Sequence, residues 1–204
     1  MDVTTVITFY GLLALLGILV IAWFGLMFVA SLFSADVRNG YARIRARLTP
    51  LALTAAWGVA LMATAGSLYF SESANYTPCT LCWYQRIAMY PLVLILGIAI
   101  VRRDTAVRIY AIPVALVGAA IASYHYLLEW FPEIDTGACS AVIPCTQVWF
   151  REFGFVSLPL LALVAFGLII TFLLIPARAR VVDEEDAADE GWDEEVEEPG
   201  PDED

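Results

Sequence analysis

Apolar residues run along this chain in blocks too long for a soluble fold. Five of them, at residues 6–33, 51–70, 83–101, 107–130 and 156–175, approach or exceed the roughly 20 residues a helix needs to cross a bilayer. Polar residues collect in the stretches between. The first block sits where a secretory leader would sit, yet no basic residue precedes it and Asp2 is the nearest charge. Its apolar run also far exceeds a leader core of about 7–15 residues, so it reads as a retained span. The pattern predicts an all-α integral membrane protein with five transmembrane helices.

Composition agrees: 60% of residues are apolar. The formal charge of −11 changes the picture only at one end, because 14 of the 22 acids lie in residues 183–204. That tail reads as a disordered, solvated segment. The remainder carries 11 arginines against 8 acids, and the arginines cluster beside the spans, so membrane lipid is an expected partner and nucleic acid is not. Arg38, Arg43, Arg45 and Arg47 fill the first connection, Arg102, Arg103 and Arg108 the third, and Arg178 and Arg180 follow the last span. The positive-inside rule makes these three segments cytoplasmic. The amino terminus and the segments 71–82 and 131–155 then face outward, and the acidic tail faces the cytoplasm of a multi-pass cell-membrane protein.

All four cysteines fall in those two outward segments, where disulfides persist. Cys79 and Cys82 form a C-x-x-C at the start of the third span. Alone this motif is weak, since it serves zinc sites, redox centres and structural turns. Pro78 restricts the approach, and a helix beginning near Cys82 puts the thiols at its positive end, which favours a thiolate. Arg86 lies one helical turn beyond Cys82, on the same face, positioned to stabilise that thiolate or to donate to a ligand oxygen. The bland reading is an arginine that snorkels to the headgroups; charge within a span favours function.

Cys139 and Cys145 have five residues between them, and Pro144 bends the chain before the second. A local disulfide there is either redox-active or a staple for the loop. His125, the only histidine, lies in Tyr124-His125-Tyr126 with Glu129 one turn on. It reads as a proton carrier or a ligand to a quinone carbonyl, or else as an interfacial polar residue with a satisfied bond. Trp149, Phe150 and Phe153 suit a short amphipathic segment along the interface.

Taken together, these motifs resemble the DsbB/BdbC family of disulfide-bond formation proteins. Cys79-Thr80-Leu81-Cys82-Trp83-Tyr84-Gln85-Arg86 matches its C-x-x-C-x-x-x-R signature. Tyr124-His125-Tyr126, Ile143-Pro144-Cys145 and residues 153–159 are similar to its BdbC-like branch. The resemblance spans roughly residues 50–177. It implies a four-helix transmembrane bundle over 49–177, preceded by an additional N-terminal transmembrane helix with a basic connection (1–48) and followed by the tail (178–204). It implies further that Cys79 and Cys82 are the quinone-proximal pair and that Cys139 and Cys145 meet a thioredoxin-like, DsbA-type dithiol oxidase. Arg86, Gln85 and His125 would then serve a ubiquinone or menaquinone. The order of the pairs separates this type from the vitamin K epoxide reductase type. Against it stand two readings without redox turnover: four cysteines holding zinc, or a membrane protein whose disulfides only staple loops.

Overall fold

The computed structural model of the chain describes residues 2–137, 139 and 143–175. Five helices carry it: α1 (Val3–Phe33), α2 (Ala35–Leu68), α3 (Thr80–Arg102), α4 (Arg108–Trp130) and α5 (Leu158–Leu174). A π-helical turn, Tyr69–Ser73, extends α2, and a 3-10 turn, Pro132–Ile134, follows α4. The expected all-α membrane bundle is what forms. Helices α1 to α4 are each long and apolar enough to cross a bilayer, while α5 has 17 residues, at the short end of the spanning range. The acidic tail, with Arg178 and Arg180, lies outside the described residues.

Small residues bring the helices together. Ala56 and Ala60 of α2, Ala88 of α3, and Ala111, Ala115 and Ala122 of α4 are all buried against Leu92, Leu96, Phe166 and Ile169. Lipid offers no hydrophobic drive between spans, so close packing over such residues must hold them. Gly118 is the tightest point: a Cβ there would clash with the edge of the Phe166 ring, which is fully buried. Helix α1 packs against α2 and α5. Its buried face, which includes Ile7, Gly11, Ala14 and Gly17, again uses small residues at helical spacing.

Two expectations are corrected in detail. The arginine-rich first connection is helical, since α2 starts at Ala35 and only Ser34 separates it from α1. Its alanines and arginines are strong helix formers, and charge marks the membrane edge without ending a helix. Arg45 uses this extension: its Nε and Nη2 donate to the carbonyls of Ile175 at 2.8 Å and Leu174 at 2.9 Å. A cation thereby meets the negative end of α5. The second correction concerns the aromatics before α5, in a segment of turns with an isolated bridge from Glu152 to Val156: of Trp149, Phe150 and Phe153, only Phe153 is exposed. Trp149 stacks on Tyr76 at 4.7 Å and Phe150 packs on Phe70 at 5.6 Å, so these rings point into the protein. Burying aromatic area against other rings outweighs laying it along the interface.

Candidate functional site

Helix α3 begins on the C-x-x-C. Cys79 is its N-cap, extended at φ −77° and ψ 176°, and its Sγ accepts the Cys82 backbone N–H at 3.4 Å. The two sulfurs lie 2.9 Å apart as free thiols. Cys79 therefore sits where the first turn's unpaired N–H groups favour negative charge. The Cys82 thiol bonded to it and the His125 imidazole outweigh burial, and lower the Cys79 thiol to about 4. The sequence favoured Cys82 as the stabilised thiolate; the geometry gathers the donors on Cys79.

Cys139 and Cys145 are joined in a disulfide, and Cys145 is buried. That bond lies in one apolar cluster with Cys79, Cys82, Leu81 and Leu128, so the outer loop closes over the start of α3. His125, from α4, is buried where the two pairs meet. Its Nε2 is 3.1 Å from the Cys145 carbonyl oxygen and 3.7 Å from the Cys79 sulfur. On the other side the Gln85 amide nitrogen stands 3.0 Å from Nδ1. An amide N–H donating to Nδ1 assigns the ring proton to Nε2, where it faces the carbonyl and the sulfur. Helical spacing places Gln85 on α3 opposite His125, a role its sequence position alone did not reveal.

Glu129 follows one turn along α4, buried, and accepts from Ser157 Oγ at 2.5 Å. Arg151 donates to its carbonyl oxygen at 3.1 Å and lies over the Trp130 ring at 4.0 Å. Between Cys79, His125, Glu129 and Pro144 is a cavity of about 10 Å³, near the lower limit for one water.

On the other side of Cys82 a much larger chamber opens, about 520 Å³ in volume. Cys82, Gln85, Arg86, Ser67, Tyr76 and Tyr90 are among the polar residues that line it, with Ser71, Thr77 and Tyr10, and most of the remaining wall is apolar. Arg86 does not point freely into it. Its Nε donates to Ser67 Oγ at 2.9 Å, its Nη2 donates to the Ser67 carbonyl at 3.0 Å, and the guanidinium lies 5.2 Å from the Trp83 ring centre. Tyr90 adds a bond to Ser67 at 3.4 Å. Ser67 and Tyr90 are partners that sequence reasoning missed, because a serine late in an apolar span carries no signal until the helices are in register.

Comparison with known proteins decides the family. The family described as "Disulfide bond formation protein DsbB" matches residues 46–176, more than half of the chain. The chain belongs to the DsbB family. Disulfide bond formation protein C of Bacillus subtilis is 51% identical over 124 residues, covering 60% of this chain and 90% of that protein. Probable disulfide formation protein C 1 of Bacillus anthracis is 49% identical over 116 residues, covering 56% and 84%. A probable disulfide formation protein of Oceanobacillus iheyensis is 44% identical over 125 residues, covering 60% and 86%. No solved structure matches the chain. As a DsbB-family member with spanning helices, the chain is a multi-pass membrane disulfide oxidoreductase of the BdbC-like kind. Helix α1 lies outside the family match.

Proposed function

We propose that this DsbB-family chain reoxidises an extracytoplasmic, thioredoxin-like dithiol oxidase of DsbA type and passes the electrons to a membrane quinone, ubiquinone or menaquinone. The observation that carries this reading is the chain of contacts from the Cys139–Cys145 disulfide through the buried His125 and Cys79 to the half-buried Cys82 at the chamber wall. The chamber's chemistry fits a quinone: hydrogen-bonding and cationic groups at the thiol end, apolar wall beyond, and a volume within the roughly 300–1,000 Å³ of ligand sites. Gln85 and Arg86 are the residues suited to hold its head, and bound there it would accept two electrons and two protons.

The remaining steps belong to the cysteines. A partner thiolate attacks the Cys139–Cys145 bond, with Cys139 taken as the attacked sulfur, and the partner's second cysteine resolves the mixed disulfide. The partner leaves oxidised and the loop pair is left as a dithiol. A loop thiolate then attacks Cys79 in an oxidised Cys79–Cys82 pair, releasing the Cys82 thiol at the chamber. The second loop thiol displaces Cys79 and closes the loop disulfide again. Both electrons now reside on Cys79 and Cys82, with the Cys79 thiolate held by its N-cap position, Cys82 and His125. His125 and Glu129, which both line the small cavity beside Cys79, are positioned to supply protons to the inner pair.

A second reading has one observation of its own. Donor atoms of Cys79, Cys82 and His125 lie within 4.8 Å of one another, a three-ligand set that suits zinc. The loop disulfide leaves Cys139 and Cys145 unable to join it, so the four-cysteine site is set aside. One experiment separates the readings: quinone reduction by purified protein supplied with a reduced thioredoxin-like oxidase, run beside Cys82→Ser and with metal content measured. The expected result is turnover that requires quinone and Cys82. Stoichiometric zinc with no turnover on either quinone class would replace the redox reading.

A further inference from the structure

The polar end of the chamber answers to a quinone head, but one whole side of its apolar wall is α1. Tyr10, Leu13, Ala14, Gly17 and Val20 of that helix line it. From Tyr10 to Val20 the wall runs about 15 Å at the helical rise, leading away from Cys82 towards Leu168 and Phe172 of α5. Without α1 this run would be a groove open to lipid.

Helix α1 is fixed in that position at several levels. Thr8 Oγ1 donates to Glu152 at 3.0 Å, and Tyr10 Oη donates to the Met62 carbonyl at 3.1 Å. The Tyr10 ring occupies the space over Gly66, where a Cβ would stand 2.6 Å away, and a Cβ on Gly17 would meet Val164 at 2.6 Å. Glycine is needed at both places for the helices to approach this closely.

We propose that α1 is the tail-binding wall of the quinone chamber, holding the isoprenoid chain, with Leu13 setting the bore beside Tyr10. This rests on the quinone reading of the chamber's polar end. An amphipathic ligand whose head lies beside Cys82 must send its apolar tail along this wall, so discrimination among tails passes to a helix outside the family match. Leu13 is 37% exposed, so it borders the chamber without being locked into the core.

The test uses the full chain in lipid nanodiscs and equilibrium binding of two probes, a tail-less benzoquinone and the same head with a short isoprenoid tail. Leu13→Trp narrows the bore, and the tailed probe is expected to bind about tenfold more weakly while the tail-less one changes less than about twofold. Leu12→Trp, on the 56% exposed neighbour outside the chamber lining, is expected to alter neither. In the unaltered protein, a tailed quinone with a photoreactive group at its tail end is expected to label the peptide containing residues 10–20. Equal weakening of both probes by Leu13→Trp, or label on α2 and α5 but never on α1, overturns the inference while leaving the quinone reading intact. If the unaltered protein binds neither probe, the quinone reading fails and this inference with it.

Discussion

Cys79 is where the chemistry of this molecule is most finely set. Its sulfur takes a backbone N–H at the start of α3, the neighbouring thiol and the approach of His125. An ordinary thiol titrates near 8.5, and these contacts lower Cys79 to about 4. The deprotonated form is the reactive one, so in the reduced protein alkylation of Cys79 is expected to run at a nearly constant rate between about pH 6 and pH 8, where a free cysteine would slow as pH falls. His125→Ala removes one support and is expected to move the inflection upward, without restoring the ordinary value while Cys82 remains. An inflection near that of a free thiol in the unaltered protein would sink the assignment. Much of this was legible beforehand: the C-x-x-C, Arg86 and His125 announce themselves by type and spacing. Gln85 was named only as a quinone residue through the family resemblance; its contact with His125, like the part played by Ser67, crosses between helices, and the register between α2, α3 and α4 is not written in any one of them.

Helices are the units the chain states most plainly, and their ends the least. Hydropathy located all five because a span must be long and apolar to exist at all. It missed the start of α2 because arginines mark where the membrane ends while the backbone continues its hydrogen bonding into water. Packing is decided by small residues whose importance is invisible until a partner faces them. Gly118 shows this, since Phe166 fills the space its side chain would need. Gly118→Ala forces overpacking, and a loss of about 1–3 kcal/mol is expected, read as a lower thermal midpoint of the detergent-solubilised protein. Arg45 makes the opposite kind of contact, long-range and polar, tying the basic part of α2 to the last carbonyls of α5.

Across the molecule, the alternation of helices gathers both cysteine pairs at one end and leaves Arg102, Arg103 and Arg108 at the other. The positive-inside rule then predicts that the cysteine end is extracytoplasmic. Glu133 and Asp104 are exposed on opposite ends. With Cys79 and Cys82 replaced by serine, a membrane-impermeant thiol reagent is expected to label Glu133→Cys in intact cells and Asp104→Cys only after permeabilisation; the reverse pattern would invert the orientation and with it the proposed partner. The proposed partner needs the cysteine end to be strongly oxidising. A DsbA-type partner near −120 mV lies about 150 mV above a thioredoxin-like pair, or about 7 kcal/mol for two electrons. A depressed Cys79 thiol stabilises the reduced inner pair and so pushes its potential in the needed direction. The bond from His125 to the outer loop adds something of another kind. It ends on the backbone carbonyl of Cys145, not on its sulfur, and a carbonyl is the same whether that cysteine is oxidised or reduced. On the proposed route the loop is thus moored by an atom blind to the electrons that would pass beside it, and its two sulfurs could change partners without the segment having to find its berth again.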